Sequence, residues 1–495
     1  MKLIDYAVRS TKEYLEGMSK ALRKKIGQFF TSKETAIFMA ELFDIPTDKS
    51  ELFILDAGAG SGILSIALIE RLQSYSTIRK INLVCYENDR SIIDLLQSNL
   101  AWVHDNLTLE LNYEIRFENY ILSQEMDFNY KLGTNPTPAK YDLIIGNPPY
   151  MKLAKNAPES MAMASICRGA PNMYALFAAM SAFNLEHSGE MVYIMPRSWT
   201  SGAYFSRFRE YFFSQCVLEH IHLFINRDDI FENEQVLQET IIIKVRKTTV
   251  LPSEVTITTT QSCNDFSNRT IFIAPYETVV SGTDFYVYLV CNESELATLE
   301  LLNKWRDTLP SIGLRMKTGL TVDFRNRERL RNESDEQVVP LFYPSHIKNG
   351  RVRFPIGKEN EYIDISCSGL LQHNGNYLFV KRFTSKEEHR RLQCGIYLCR
   401  FLSNYNYIST QNKINFIDGL KGLSECVVFG LYVLFNSTLY DEYYRILNGS
   451  TQVNSTEINS MPVPPLEIIE EMGKKLIKIK DLSEQVCDDI LRSYL

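Results

Sequence analysis

The sequence predicts a doubly wound α/β domain followed by a second domain of the α+β class. Short runs of apolar and β-branched residues alternate with helical stretches from residue 51 to residue 246. These runs are apolar throughout rather than at every second position, which is typical of a parallel sheet covered by helices on both faces. A chain of 495 residues is also longer than most single domains.

The predicted elements follow one another in the order of a βαβ fold. The first strand leads through a glycine-rich turn into an apolar helix that runs to about residue 73. A second strand and an amphipathic helix follow, and two later strands are separated by a helix near residues 172–185. Parallel strands place their carboxyl ends at one edge of the sheet, where ligands bind. The predicted strands span 52–56, 81–86, 141–145, 191–195 and 239–245.

The alternation stops after residue 250, which predicts a domain boundary there. Residues 251–270 are rich in Thr, Ser and Asn, as in a linker or in irregular strands, and mixed elements with many Tyr and Phe follow. We therefore predict a first domain over residues 1–250, with a helical segment leading into the sheet. The second domain is predicted over residues 251–495.

Basic residues are concentrated in one part of an acidic chain. The formal net charge is −7, but residues 301–400 contain 18 Lys and Arg against 11 Asp and Glu. A phosphate-binding surface has this composition, and so does a solvated basic surface without a partner. The candidate side chains are Arg315, Lys317, Arg325, Arg327, Arg329, Arg351, Arg353, Lys381, Arg382, Arg390 and Arg391.

Composition also indicates the cellular compartment of the chain. No window approaches 18 uninterrupted apolar residues, and the first residues lack the apolar core of a signal peptide. The ten cysteines are scattered, without a Cys-x-x-Cys pair, so neither a structural zinc site nor a disulfide framework is indicated. We expect a cytoplasmic chain with reduced thiols, without a membrane span or a metal.

The turn after the first strand is typical of a nucleoside-binding loop. Gly58 and Gly60 let the backbone approach a ligand at the carboxyl end of the strand. Glu87, after the second strand, can accept hydrogen bonds from ribose hydroxyls, each contributing roughly 1.5–3 kcal/mol. Many α/β domains bind NAD in this way, but the spacing differs from the dinucleotide fingerprint and Asp56 would repel a pyrophosphate. A carboxylate suits a cationic ligand, so S-adenosylmethionine fits better than NAD.

The most specific motif is Asn147-Pro148-Pro149-Tyr150, directly after another predicted strand. The prolines have fixed φ angles and would present the Asn147 side chain and the Pro148 carbonyl as two rigid acceptors. Two acceptors match the two N–H groups of an exocyclic amine such as that of adenine, and both bonds would strengthen as positive charge develops on nitrogen. Tyr150 offers a flat face on which a base can stack, worth roughly 1–3 kcal/mol. A proline-rich turn that only ends a strand is the alternative interpretation.

With these motifs the chain resembles the adenine-N6 DNA methyltransferases of type II restriction–modification systems in the gamma arrangement, the Eco57I-like family. The resemblance implies a Rossmann-like methyltransferase domain, S-adenosylmethionine as cofactor and a C-terminal target-recognition domain that binds double-stranded DNA. It also implies a prokaryotic cytoplasm and a functional partnership with a cognate restriction endonuclease. The segments that resemble the family are 27–31, 172–177, 189–196, 318–325, 381–383 and 448–454.

The resemblance implies roles for further residues. Thr31 would lie near the methionine part of the cofactor, together with Asn147, and Phe231 would pack with Tyr150 on an adenine rotated out of the duplex. The implied mechanism is direct transfer of the methyl group to N6. It needs neither a metal nor a covalent enzyme intermediate.

One position departs from the family pattern. After its third strand, the family has an acidic residue that contacts the adenine amine of the cofactor, followed by an aromatic residue. At that place this chain has Asn119 and Tyr120. The Asn119 oxygen could accept from the amine without charge assistance. Asp127 is the competing assignment, since it has the expected type but lies further from the strand.

Other functions remain as alternative hypotheses. Asn-Pro-Pro-Tyr also serves protein-glutamine methyltransferases, and related motifs serve ribosomal RNA methyltransferases. Those enzymes are generally shorter and lack a large domain after the catalytic one. A third hypothesis is a catalytically silent DNA-binding subunit, against which the presence of Asp56, Glu87 and Asn147 argues.

Overall fold

The chain forms two compact units in the computed structural model. The first consists of Met1–Thr200 and Tyr204–Cys291, and the second of Ser201–Ala203 and Asn292–Leu495. In the part of the chain that is described, every helix is too short or too polar to cross a membrane. The structure describes residues 2–17, 31–129, 139–225, 240–366, 368–385, 387–448 and 451–495.

The first unit alternates strands and helices, as predicted. Its helices are α1 (Leu3–Glu16), α2 (Lys33–Glu41), α3 (Ile63–Leu72), α4 (Arg90–Asn106), α5 (Tyr120–Ser123), α6 (Glu125–Phe128), α7 (Pro158–Ala162), α8 (Met173–Asn184), α9 (Ser206–Gln215) and α10 (Tyr276–Val279). Its strands are β1 (Glu51–Ala57), β2 (Lys80–Tyr86), β3 (Glu110–Arg116), β4 (Tyr141–Gly146), β5 (Leu185–Pro196), β6 (Val217–Phe224), β7 (Thr240–Arg246), β8 (Glu254–Thr260), β9 (Thr270–Pro275), β10 (Val280–Ser281) and β11 (Tyr286–Val287).

The described strands of this unit include a nine-stranded sheet in the order β3-β2-β1-β4-β5-β7-β6-β8-β9. The strands β3, β2, β1, β4 and β5 pair in parallel, as predicted. The prediction of a parallel sheet is wrong at β7, which pairs antiparallel with both β5 and β6. Its register places Thr240 opposite Pro196 and Ile241 opposite Leu223. The chain therefore leaves β6 and enters β7 at the same sheet edge, which is the geometry of antiparallel neighbours.

Helices cover both faces of this sheet. Leu52 and Ile54 of β1 belong to one hydrophobic cluster with residues of α1 to α4. Leu55, which points to the opposite face because strand side chains alternate, is fully buried as well. On that second face the Tyr193 hydroxyl of β5 lies 2.7 Å from Ser181 Oγ of α8. Burial on both faces explains why the strands are apolar throughout.

The boundary between the units differs from the predicted position after residue 250. β8 pairs in parallel with β6, and β9 pairs with β8, so both strands extend the first sheet. The threonines that suggested a linker lie on β8, where Thr258 Oγ1 is 2.8 Å from ring nitrogens of both His220 and His222. Burial lowers the pKa of His220 to about 4 and that of His222 to about 3. Both histidines are therefore neutral at neutral pH and bond to threonine hydroxyls of the neighbouring strand.

The second unit combines antiparallel and parallel pairing with several helices, in agreement with the predicted α+β class. Its described strands include a six-stranded sheet in the order β13-β23-β20-β21-β17-β16 and a five-stranded sheet in the order β14-β18-β15-β22-β19. The helices are α11 (Glu293–Leu302), α12 (Glu425–Phe435), α13 (Thr438–Leu447), α14 (Ser455–Ser460), α15 (Leu466–Ile479) and α16 (Glu484–Arg492). The strands are β12 (Asp307–Thr308), β13 (Leu314–Thr318), β14 (Leu330–Arg331), β15 (Val338–Phe342), β16 (Ile347–Lys348), β17 (Arg351–Val352), β18 (Tyr362–Asp364), β19 (Gln372–His373), β20 (Tyr377–Lys381), β21 (Cys394–Tyr397), β22 (Tyr407–Thr410), β23 (Ile414–Gly419) and β24 (Pro462–Val463).

Candidate functional site at the carboxyl edge of the first sheet

The turn after β1 has the backbone conformation of a ligand-binding loop. Gly58, Gly60 and Gly62 have φ angles of 102°, 56° and 82°, in the region that favours glycine. The Gly58 N–H donates to the Tyr86 carbonyl at the end of β2, over 2.8 Å. A Cβ atom on Gly58 would lie 3.6 Å from the ring of Phe177 on α8. The turn therefore exposes bare backbone beside an aromatic side chain.

Two carboxyl groups lie at this turn. Glu87 follows β2, and its oxygens accept hydrogen bonds from the backbone N–H groups of Gly60 (2.9 Å) and Asp89 (2.8 Å). Asp56 is fully buried, and its Oδ2 accepts from Ser65 Oγ over 2.5 Å. No described residue donates to Asp56 Oδ1. This arrangement leaves one buried carboxylate oxygen beside the glycine turn without a hydrogen-bond donor from the described residues.

The electrostatics of both carboxyl groups favour a cationic ligand. Burial raises the pKa of Asp56 to about 7; the hydrogen bond from Ser65 opposes this shift and the nearby Glu87 charge adds to it. Burial also raises the pKa of Glu87, against the hydrogen bonds from the Asp89 and Gly60 backbone. A positive charge placed near them would offset the cost of burying negative charge.

The Asn147 amide lies directly after β4 and is oriented by two hydroxyl groups. Its Nδ2 donates to Thr31 Oγ1 over 3.2 Å, and its Oδ1 accepts from the Tyr150 hydroxyl over 2.8 Å. All three side chains are buried. The structure thus brings together Thr31 and Asn147, which are 116 residues apart in the sequence. In the described part of the chain, no N–H or O–H group donates to the Pro148 carbonyl.

Tyr150 is held by its hydroxyl and by its ring. The hydroxyl also lies 3.4 Å from the Ile194 carbonyl of β5, and the ring packs edge-on against Tyr174 with centroids 6.3 Å apart. Burial raises the pKa of Tyr150 well above its usual value, so the hydroxyl stays protonated as a donor. The residue is 6% exposed. Little of the Tyr150 side chain is therefore open to solvent.

Asn119 follows β3, as predicted, and its side chain caps α5. Its Oδ1 accepts hydrogen bonds from the backbone N–H groups of Ile121 (3.0 Å) and Leu122 (3.2 Å). Its Nδ2 donates to Glu159 Oε1 on α7 over 2.8 Å. The competing residue, Asp127, lies half-exposed on α6. Glu159 was not among the predicted site residues.

Tyr120 packs against Phe177, the aromatic residue beside the glycine turn. Its ring centroid lies 5.4 Å from that of Phe177, and its hydroxyl donates to Asn184 Oδ1 over 2.9 Å. The side chain is therefore held in the interior rather than exposed to a ligand. Its backbone N–H, at the first position of α5, donates to no acceptor among the described residues.

Some predicted site residues cannot be placed. Phe231 and residues 27–30 lie outside the described residues. The nearest described neighbours of Phe231 are Ile225 and Thr240, and both follow or begin strands at the carboxyl edge of the sheet. The packing of Phe231 on the target adenine stays a prediction.

The predicted DNA-contacting residues of the second unit fall into two groups. One group is exposed to solvent. Within it, Lys317 Nζ forms an ion pair with Asp418 at 2.7 Å, and Arg329 lies 3.4 Å from Glu328. The members of this exposed group are Arg315, Lys317, Arg325, Arg327, Arg329, Arg351 and Arg353.

The side chains of the other group form hydrogen bonds or ion pairs within the second unit. Lys381 Nζ donates to Gln393 Oε1 over 2.8 Å, and Arg382 donates to the Asn412 carbonyl over 3.0 Å. Both side chains remain half-exposed. Arg390 forms an ion pair with Glu484 at 3.0 Å.

Arg391 does not fit the prediction of a phosphate contact. It is 1% exposed, and its guanidinium donates to Thr384 Oγ1 and Asn448 Oδ1, each over 3.2 Å. Its backbone N–H donates to Asp441 Oδ1 over 2.8 Å. A guanidinium buried in this way supports the fold, so including Arg391 in a DNA-binding surface is wrong.

Comparisons with known proteins place the chain in a family. The family model described as Eco57I restriction-modification methylase matches residues 66–231. The type II methyltransferase M.PstI of Providencia stuartii is 33% identical over 494 residues, covering 97% of this chain and 94% of that protein. The type II methyltransferase M.BsuBI of Bacillus subtilis is 34% identical over 486 residues, covering 96% of this chain and 94% of that protein.

A solved structure agrees with the fold. The type IIL restriction-modification enzyme MmeI in complex with DNA superposes with a TM-score of 0.51 at 14% identity. The superposition covers 99% of this chain and 73% of that chain. The sequence identity of 33% to M.PstI and 34% to M.BsuBI extends over almost the whole length of each protein, which indicates more than a shared fold. The chain therefore belongs to the family of type II restriction–modification methyltransferases.

Proposed function

We propose that this chain transfers the methyl group of S-adenosylmethionine to the N6 amine of adenine in double-stranded DNA. The modified sites would then be protected from a cognate restriction endonuclease. Family membership accounts for methyl transfer within a restriction–modification system. The observation that carries the choice of an exocyclic amine is the Asn147 amide, which two hydroxyl groups orient at the carboxyl edge of the sheet.

The residues around the glycine turn fit S-adenosylmethionine. Gly58 lacks the Cβ that would fill part of the space beside Phe177, and Asp56 Oδ1 is a buried acceptor to which no described residue donates. Glu87 would accept hydrogen bonds from the ribose hydroxyls, while Thr31 and Asn147 would flank the methionine part. When bound, this cofactor supplies an activated methyl group on a cationic sulfur.

The Asn-Pro-Pro-Tyr segment would bind and activate the target amine. A carbonyl oxygen has two lone pairs, so Asn147 Oδ1 can accept from the amine while it accepts from Tyr150. The Pro148 carbonyl, to which no described group donates, would accept from the other N–H. Both bonds strengthen as nitrogen becomes positive, and they therefore lower the barrier rather than only binding the base. The methylated nitrogen then loses its extra proton to water.

The second unit would recognise the DNA. Its exposed arginines, among them Arg325 and Arg327, would contact phosphates or base edges. The target adenine would be rotated out of the duplex at a cost of a few kcal/mol. Stacking against Tyr150 and Phe231 would recover part of that cost.

The proposal is tested by expressing the chain in a bacterial host without DNA methylation. Nucleosides from the host genome are separated and identified by mass spectrometry, and single-molecule sequencing then maps the modified positions. We expect N6-methyladenine within one recurring sequence. The Asn147→Ala variant, expressed to the same level, should leave the DNA unmodified.

Two outcomes would contradict the proposal. N4-methylcytosine at the mapped positions would show that the amine belongs to another base. Unmodified DNA in cells containing a folded wild-type chain that binds S-adenosylhomocysteine would favour methylation of another macromolecule.

A further inference from the structure

We propose that Glu159 recognises the exocyclic amine of the cofactor's adenine ring. This inference rests on the proposed function, because it concerns the same cofactor. It assigns a role to a residue of α7 that follows the Asn-Pro-Pro-Tyr segment, and it replaces the contact that Asn119 was predicted to make.

Asn119 is not suited to accept from that amine. Its Oδ1 already accepts hydrogen bonds from two backbone N–H groups of α5, those of Ile121 and Leu122. Two bonds use both lone pairs of a carbonyl oxygen. The other polar group of the Asn119 amide is Nδ2, which is a donor and cannot accept a hydrogen bond from the adenine amine.

Glu159 supplies the acceptor that Asn119 lacks. Its Oε1 accepts from Asn119 Nδ2 over 2.8 Å, so the carboxylate is fixed next to the position after β3. Its Oε2 accepts from no group in the described ranges, and the side chain is half-exposed. Asn119 thus acts as a positioning residue that holds α5 on one side and the Glu159 carboxylate on the other.

A backbone donor lies one residue after Asn119. The Tyr120 backbone N–H immediately follows Asn119 and donates to no acceptor among the described residues. A carboxylate acceptor beside an amide donor matches the edge of a 6-aminopurine, which presents an N6 donor and an N1 acceptor. A 6-oxopurine presents the opposite pattern, since its C6 oxygen accepts and its N1–H donates. The pair of groups therefore favours adenine over hypoxanthine.

The test compares two ligands that differ only at this edge. S-adenosylhomocysteine and S-inosylhomocysteine are titrated into the full-length protein, and their dissociation constants are measured by calorimetry. We expect the wild type to prefer the adenine ligand by about tenfold or more, the range of a charge-assisted hydrogen bond. The Glu159→Gln variant keeps an oxygen for Asn119 but presents an amide that can also donate, so this preference should fall by about tenfold.

The Glu118→Gln variant is the matched control. Glu118 directly precedes Asn119, is exposed, and makes no hydrogen bond to it, so the ratio of the two dissociation constants should stay at the wild-type value. Because the result is a ratio, a general loss of affinity or of folded protein cancels.

The outcomes separate this inference from the proposed function. An unchanged ratio in Glu159→Gln, or a wild type that binds both ligands equally, would overturn the role of Glu159 and leave the cofactor assignment intact. A folded wild type that binds neither ligand would overturn the cofactor assignment itself.

Discussion

The two units differ in how well sequence position predicts where candidate residues lie. In the first unit, Thr31, Glu87, Asn119 and Asn147 are far apart in the sequence, yet the last three each follow a parallel strand and Thr31 bonds to Asn147. In the second unit, the basic candidates are distributed over strands of mixed direction and over their connections. They range from exposed Arg327 to buried Arg391.

Topology, more than residue type, brings the candidate residues of the first unit together. Parallel strands end at one edge, so a polar residue after each strand joins its neighbours there. A sheet of mixed direction has no such edge, and an excess of positive charge does not distinguish a surface arginine from one that holds the fold together. Variants of convergent, exposed and buried residues test this contrast.

Replacing Asn147 by alanine should have the largest effect. It removes the oriented acceptor, so methyl transfer to DNA should fall by about 10²- to 10³-fold, as for the loss of one transition-state hydrogen bond in a preorganised site. Binding of S-adenosylhomocysteine should stay close to the wild-type value. Single-turnover transfer and calorimetry measure the two quantities.

The control for this variant is Asn106→Ala, at the far end of α4. It should leave turnover unchanged. Retained turnover in Asn147→Ala would break the contrast, because it would show that the convergent edge of the first unit is not the reacting site.

Replacing Glu87 by alanine should weaken cofactor binding next most strongly. Loss of charge-assisted hydrogen bonds to the ribose should raise the dissociation constant for S-adenosylhomocysteine by about 10- to 100-fold. The matched control is Glu110→Ala, because Glu110 begins β3 and lies at the end of the sheet away from Glu87. Equal affinities in wild type and Glu87→Ala would remove the ribose assignment.

In the second unit, exposed and buried arginines should give separable effects. Neutralising Arg325 and Arg327 together should reduce the magnitude of the slope of log DNA affinity against log salt concentration by about 1.8, if each contacts a phosphate. The thermal stability of the protein should change little. Arg391→Gln should instead lower the free energy of unfolding by about 1–3 kcal/mol through lost buried hydrogen bonds and leave the salt slope unchanged.

The exposed lysines Lys474 and Lys478 of α15 provide a charge-matched control for the double variant. A slope that changes equally in both double variants would place the phosphate contacts elsewhere on the unit. A slope that changes in Arg391→Gln would contradict its structural role.

The smallest expected effect concerns Asp56. Burial raises the pKa of Asp56 from its ordinary value of 3.8 to about 7 in the folded chain, so the group is protonated below neutral pH before the cofactor binds. A cationic ligand favours the carboxylate, so binding should release up to one proton, and affinity should rise with pH to about 7 and then level. Calorimetry at pH 6 in two buffers of different ionisation enthalpy measures the proton release.

Asp56→Asn should abolish this proton release. The same raised pKa has a consequence for stability, because the folded chain binds more protons than the unfolded chain between the two pKa values. The contribution of Asp56 to stability therefore decreases as pH rises from about 4 to about 7. Equal proton release in wild type and Asp56→Asn would assign the proton to another group.

The sequence predicted the parallel half of the first sheet and the positions of several candidate residues directly after its strands, because both depend on local patterns. Apolar runs identify buried strands, and Glu87 and Asn147 directly follow such runs. The position of β9 at the sheet edge and the direction of β7 depend on long-range pairing, which a local pattern does not contain. Glu159 was not predicted for the same reason. Its candidate role depends on a hydrogen bond to Asn119, which is 40 residues away in the sequence.

The direction of β7 has a practical consequence for protein engineering. β6 ends at Phe224 and β7 begins at Thr240, at the same end of the sheet. We therefore expect that replacing residues 226–239 by a segment of another length leaves the register of both strands unchanged. Chimeras joined at these two boundaries would keep β6 and β7 as a constant scaffold.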